Sequence, residues 1–144
     1  MGYRTIHTLV CFLLLMAANI QADNLTQPVS LVPCPVSIVP GTGNFHFSEE
    51  TTFAVENEEQ AVEVRRFTAL LTRAAGFTPR IKVGNKKGDV CLTTDVGLKE
   101  EAYKLEITAK RINIHAADVQ GFFYALQSIR QLLPAAIEGG QVVT

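Results

Sequence analysis

The sequence predicts an α+β fold, with a mixed sheet of about five to six short strands and two long helices packed on one face. Two stretches repeat apolar residues at helical spacing over several turns. Several shorter stretches alternate apolar and polar residues, which is typical of half-buried strands. Because each helix carries a single apolar stripe, both helices are expected to cover the same face of the sheet.

Six strands are expected, at residues 36–39, 51–55, 80–83, 90–94, 103–108 and 112–116. The last two give the clearest pattern, because Tyr103, Leu105 and Ile107 alternate with polar residues and the alternation resumes after a tight turn. This arrangement predicts an antiparallel hairpin. Pro33 and Pro35 favour an extended path that leads into the first expected strand.

The helices are predicted from their stripes and their ends. The first covers residues 58–75. Gly76 is suited to the left-handed backbone conformation that the residue after a helix often adopts. The second begins after Asp118, whose carboxylate can cap a free backbone N–H, and it stops at Pro134. The predicted core-facing residues are Val64, Phe67, Leu71 and Ala74 in the first helix and Phe122, Leu126, Ile129 and Leu133 in the second.

Three residues of the second helix are candidates for a domain interface, namely Tyr124, Gln127 and Gln131. Successive helical residues point about 100° apart, so Tyr124 faces nearly away from the stripe that contains Phe122. Two interpretations stay open: an amphipathic tyrosine on a free surface, or docking against a neighbouring domain. Burial of Tyr124 in the core of this same chain would exclude docking.

The first 22 residues have the pattern of a secretory signal peptide. Arg4 precedes an apolar run at residues 9–18, and Ala22 is an acceptable cleavage position. The run is shorter than the roughly 20 residues that a membrane span needs. We therefore expect an exported protein that is periplasmic, on the outer surface or extracellular, with no membrane span after cleavage.

Two cysteines, Cys34 and Cys91, would remain after cleavage. An oxidising compartment would allow a disulfide between them if their Cα atoms lay within about 7 Å. A buried free thiol is the alternative for Cys91, because it lies in the apolar run Val90–Leu92. Both interpretations stay open at this point.

Other functional classes lack the residues they need. The formal net charge of −1 offers no basic surface for nucleic acid. His46 and His115 are too far apart in sequence to form a standard zinc motif. The acidic pairs at 49–50, 58–59 and 100–101 are interpreted as solvated or helix-capping residues. No catalytic, cofactor-binding or metal-binding residue is assigned, and no cofactor is expected.

The stretch from Glu100 to Pro134 carries a longer pattern, which is roughly E-G-Y-x-L-x-V/I-T, a turn, I-x-I-x-A, and A-G-x-F-Y-G-x-Q-T-L-x-Q-L-L. This pattern resembles the N-terminal domain of family 20 glycoside hydrolases, the β-N-acetylhexosaminidases, in their bacterial form. The segment Val32-Pro33-Cys34-Pro35, with Gly43 and Phe45, resembles the family's opening. Ala102 and Ala125 replace two glycines of the pattern. The matching residues are Tyr103, Leu105, Ile107, Thr108, Ile112, Ile114, Ala116, Gly121, Phe123, Tyr124, Gln127, Gln131, Leu132 and Leu133.

The resemblance implies a zincin-like α+β accessory domain that precedes a catalytic (β/α)8 barrel of roughly 250 residues. In that family an adjacent Asp-Glu pair acts on the substrate: the glutamate protonates the leaving group and the aspartate orients the substrate's acetamido group. No Asp-Glu dipeptide occurs in this sequence. The resemblance thus predicts a barrel as the domain's partner and no hydrolase activity for this chain alone.

The expected organisation follows from the resemblance and the signal pattern. Residues 1–22 are the signal peptide, 23–35 a leader, 36–136 the accessory domain and 137–144 the start of a linker to the barrel. The alternatives are a similar domain of another glycosidase, such as an α-glucuronidase or a family 84 enzyme, a stand-alone module that binds glycans or protein, and a truncated remnant. The absence of tryptophan weighs against a glycan-binding module.

Overall fold

The computed structural model describes residues 30–135 and shows a five-stranded mixed sheet with two helices. The predicted signal peptide and linker lie outside the described residues. The strands are β1 (Thr52–Val55), β2 (Arg80–Val83), β3 (Val90–Thr94), β4 (Tyr103–Ile107) and β5 (Ile112–Ala116), and the helices are α1 (Glu58–Ala75) and α2 (Val119–Leu132).

The strand order in the sheet is β2-β1-β3-β5-β4. Helix α1 connects the parallel neighbours β1 and β2, and β3 pairs in parallel with both β1 and β5. Only β4 runs antiparallel to its neighbour, because it forms the predicted hairpin with β5. This mixture of parallel and antiparallel pairing confirms the predicted α+β class.

Both helices pack on the same face of the sheet. Helix α1 contacts β1 and β2, helix α2 contacts β4 and β5, and the helices contact each other. Alternate strand residues point toward the two helices, and their side chains form one continuous core with those of the helices. Its fully buried side chains include Phe53, Val55, Val64, Leu71, Val90, Ile112, Ile114, Phe122 and Leu126.

Gly76 and Asp118 have the capping roles predicted for them, and Asn57, which was not predicted, caps the start of α1. The side chain of Asn57 accepts a hydrogen bond from the Gln60 amide, and Gly76 adopts a φ of 77°, the left-handed region where glycine is favoured. Asp118 accepts hydrogen bonds from the amides of Glu101 and Gly121, each at 2.8 Å. These bonds to its charged form lower the pKa of Asp118.

The predicted strand at residues 36–39 is wrong. No strand is formed there, and the side chains of Val36 and Val39 are exposed. Alternation and prolines favour an extended chain, but a strand also needs a neighbour that accepts its backbone hydrogen bonds. The chain on either side of this segment is instead attached to the rest of the domain through side chains. Val32 bonds to Gln131, and Phe47 packs against Phe53 and Phe67.

The two cysteines are free, so the considered disulfide is not formed. Cys34 is exposed in the leader, next to the Val32 contact with helix α2. Cys91 is buried in β3, and its thiol points to the carbonyl oxygens of Lys86 and Gly88 in the loop before that strand. Cys91 therefore matches the alternative interpretation, a buried thiol.

Neither described helix combines the length and the apolar character that crossing a bilayer would require.

Candidate functional site

A groove runs between the outward sides of α1 and α2, and we call it the interhelical groove. Its volume is about 180 Å³. Phe67, Leu70 and Leu126 are almost fully buried and form its apolar floor. The complete lining consists of Glu63, Arg66, Phe67, Leu70 and Arg73 from α1 and Phe123, Leu126, Gln127 and Arg130 from α2.

An exposed aromatic pair borders this groove. Phe123 and Tyr124 are each 40% exposed, and their ring centroids lie 5.5 Å apart in an edge-on arrangement. Tyr124 therefore does not pack in the core of its own chain, which was the condition that would have excluded docking. Two neighbouring large aromatic side chains on an open helix surface are typical of residues that a partner covers.

The two candidate glutamines have different surroundings. Gln127 lines the interhelical groove beside Phe123. Gln131 is used inside the chain: its side-chain oxygen accepts the Val32 amide hydrogen at 2.8 Å, and its nitrogen donates to the Val32 carbonyl at 2.9 Å. The structure thus brings Tyr124 and Gln127 to the groove region, whereas Gln131 holds the leader against α2.

The charged residues of the groove belong mostly to α1. Glu63 is buried and accepts a hydrogen bond from Arg66 at 2.9 Å, which forms an ion pair. Arg73 lies in the last turn of α1, where the helix dipole favours a cation. We refer to the solvent-facing side of both helices, which includes the groove and the aromatic pair, as the helix face.

Sequence reasoning missed Phe123 and Arg73 as members of this site. The run Phe122-Phe123-Tyr124 held a signal, because placing Phe122 in the core leaves the next two side chains about 100° and 200° away from it. Arg73 had no comparable signal. Its place in the groove depends on how α1 packs against α2, which the sequence does not show.

The opposite face of the sheet differs from the helix face in its chemistry. Its middle rows are polar, with Thr93, His115 and Lys104 paired across three strands, and Lys104 lies 3.8 Å from Asp95. His46 is exposed and lies in the segment before β1. Within residues 30–135 no group of acidic, histidine or cysteine side chains could hold a metal ion.

Comparison with known proteins gives a family match. The family model described as "Glycosyl hydrolase family 20, domain 2" matches residues 28–143. A β-hexosaminidase from Porphyromonas gingivalis is 27% identical over 142 residues, which cover 92% of this chain and 18% of the relative. A lacto-N-biosidase from Bifidobacterium bifidum is 30% identical over 115 residues, which cover 76% of this chain and 10% of the relative.

A solved structure agrees with these matches. The N-acetyl-β-hexosaminidase of Streptomyces plicatus superposes with a TM-score of 0.72 at 27% identity, over 81% of this chain and 24% of that one. The chain therefore spans a quarter or less of each of these proteins, which leaves most of their length without a counterpart here.

Proposed function

Since the chain belongs to glycosyl hydrolase family 20, as domain 2 of that family, we propose that it is the accessory domain of an exported β-N-acetylhexosaminidase. The complete enzyme would remove terminal, non-reducing N-acetylglucosamine or N-acetylgalactosamine from glycans. The observation that carries this proposal is the family match over residues 28–143, joined to relatives that are named for this activity.

The domain's own contribution is to dock on and support a catalytic (β/α)8 barrel. The chain holds no Asp-Glu pair, and the chemistry described for the family therefore needs residues from elsewhere. The exposed Phe123 and Tyr124 support docking, because burying two such rings removes a large apolar area from water. In this proposal Tyr124 and Gln127 contact the barrel, and Gln131 contributes indirectly by holding the leader.

Export is part of the proposal and rests on the signal pattern at residues 1–22. Cleavage after Ala22 would give a mature protein that begins at Asp23. Mass spectrometry of the protein secreted or released from the periplasm tests it. A mature protein that retains Met1, or one recovered only from the cytoplasm, contradicts export.

A second candidate concerns the substrate of the complete enzyme. The lacto-N-biosidase relative is 30% identical over 115 residues, whereas the β-hexosaminidase relative is 27% identical over 142 residues. A complete enzyme of that type would release a disaccharide. Parallel assays with an aryl N-acetyl-β-glucosaminide and an aryl β-lacto-N-bioside distinguish the two, because an exo-hexosaminidase hydrolyses only the first in a single step.

The coding DNA beyond the codon for Thr144 tests the proposed partner. We expect an open frame that encodes a barrel of roughly 250 residues or more with an adjacent Asp-Glu pair. A frame that encodes a barrel without this pair would favour another glycosidase type. A stop codon directly after Thr144 would contradict a barrel on the same chain.

A further inference from the structure

Arginine is the only basic residue type in the two helices. The helix cations are Arg65, Arg66, Arg73 and Arg130, and neither helix contains a lysine. The strands and loops of the described region hold two arginines, Arg80 and Arg111, and all of its lysines, namely Lys82, Lys86, Lys87, Lys99, Lys104 and Lys110. Protein interfaces are enriched in arginine and depleted in lysine, because a guanidinium is less strongly hydrated than an ammonium. This distribution marks the helix face as the side that another protein surface covers.

The interhelical groove has the size of a single side chain. Pockets for sugars and other small ligands usually measure about 300–1,000 Å³, whereas this groove measures about 180 Å³. Its floor is apolar, and aromatic rings stand beside it. A recess of this size and lining is suited to one anchoring side chain from a partner surface.

Arg73 brings a positive charge to the groove. The other charged residues of the lining are Arg66, Arg130 and the buried Glu63. Arg66 is balanced by Glu63 at 2.9 Å. Across residues 30–135, none of the ion pairs involves Arg73, although that guanidinium lies at the groove. The charge of Arg73 is therefore available to a carboxylate that comes from outside these residues.

We propose that a carboxylate side chain of the domain that follows enters the interhelical groove and pairs with Arg73. This inference rests on the proposed function, in which a further domain docks against the helix face. The inference adds which side chain of that domain meets the groove. A guanidinium can donate two parallel hydrogen bonds to one carboxylate, which fixes orientation as well as position. Phe123 and Tyr124 border the groove and, once covered, exclude water from the pair, which strengthens it.

A zero-length carbodiimide cross-linker tests this pairing in the longer gene product, which includes the coding sequence after Thr144. The reagent joins an amine to a carboxylate in direct contact, and the wild-type helices have no lysine. The variant Arg73→Lys places one amine at the groove while keeping the positive charge. The matched control is Arg65→Lys, because Arg65 is an α1 residue outside the groove that forms an ion pair with Glu58.

Mass spectrometry of the cross-linked peptides gives distinct outcomes. We expect Arg73→Lys to join residue 73 to an Asp or Glu of the downstream domain, and Arg65→Lys to join residue 65 only to Glu58. If Arg73→Lys gives no interdomain product while the control works, the carboxylate partner is refuted. Hydrogen exchange of the same longer protein then tests docking separately from the ion pair. If residues 119–132 exchange more slowly in the longer protein than in the isolated chain, docking through the helix face is supported. Equal exchange rates refute docking there too.

Discussion

Gly121 in the first turn of α2 is the position where adding one methyl group should be most informative. A Cβ atom there would lie 2.8 Å from the carbonyl oxygen of Ala102 and 2.9 Å from the Cβ of Ala116. Both are shorter than ordinary contacts, and both neighbours belong to the sheet side of the domain. The helix start and the β4–β5 hairpin therefore approach each other too closely for any side chain.

The expected effect of Gly121→Ala combines two opposing terms. Overpacking a tight site typically costs about 1–3 kcal/mol. Replacing glycine by alanine within a helix stabilises the helix by about 1 kcal/mol. The net loss in unfolding free energy should be about 1 kcal/mol, and up to about 2. For a domain of this size, each 1 kcal/mol lowers Tm by roughly 4–8 °C.

Chemical and thermal unfolding followed by circular dichroism measure this effect. Gln120→Ala is the matched control, since Gln120 is the exposed neighbour in the same turn, and it should stay within about 0.5 kcal/mol of wild type. Gly121→Val should be less stable than Gly121→Ala, because its extra methyl groups meet the same atoms. A Gly121→Ala protein that is more stable than wild type by about 1 kcal/mol would show that helix propensity alone acts there and would refute the close approach.

Three further predictions concern single interactions. Asn57→Ala removes the cap of α1 and should lower unfolding free energy by about 1 kcal/mol, measured by urea denaturation. Tyr103→Phe removes a 2.6 Å hydrogen bond to the buried Ser128, and we expect a cost of about 1–2 kcal/mol that a double-mutant cycle with Ser128→Ala assigns to the pair. The amide and hydroxyl of Thr52 donate to Asp89 and lower its pKa below 3.8, so the stability it contributes is present above that pH and is lost as pH falls further. Asp89→Asn should therefore reduce the steepness of acid unfolding below about pH 4, and an unchanged acid profile would contradict this.

Much of the secondary structure could be predicted because its signals are local. Both helices and all five strands appear within about one residue of their predicted bounds, since periodicity and end residues act over a few positions. The caps at Asp118 and Gly76 have the roles that their chemistry suggests. The opposite orientations of Phe122 and Tyr124 also follow from helical geometry alone.

The remaining features depend on contacts between distant parts of the chain. Residues 36–39 have the alternation of a strand, yet strand formation is decided by a pairing neighbour that local sequence does not reveal. Gln131 bonds to Val32, which is 99 residues away in sequence. The strand order β2-β1-β3-β5-β4 and the interhelical groove likewise arise from how the elements pack together.

The resemblance to family 20 was recognisable because its longest motif lies in one continuous stretch, where a hairpin and a helix pack as a unit. Tyr103 and Ser128 both belong to this stretch, and their hydrogen bond joins β4 to α2. Of the alternatives, the matches give no support to an α-glucuronidase or a family 84 enzyme, since the matching model is that of family 20. A stand-alone binding module is less well suited to a helix face with a recess of side-chain size.

Hydrolysis of an aryl N-acetyl-β-glucosaminide by this chain and by the longer gene product, assayed side by side, distinguishes an accessory domain from a catalytic one. We expect no release by the chain alone, and turnover by the longer product that disappears when its Asp-Glu pair is replaced by alanines. Saturable, heat-labile hydrolysis by the chain alone would contradict the assignment of an accessory domain. So would a correctly folded longer product that leaves both this substrate and an aryl β-lacto-N-bioside intact.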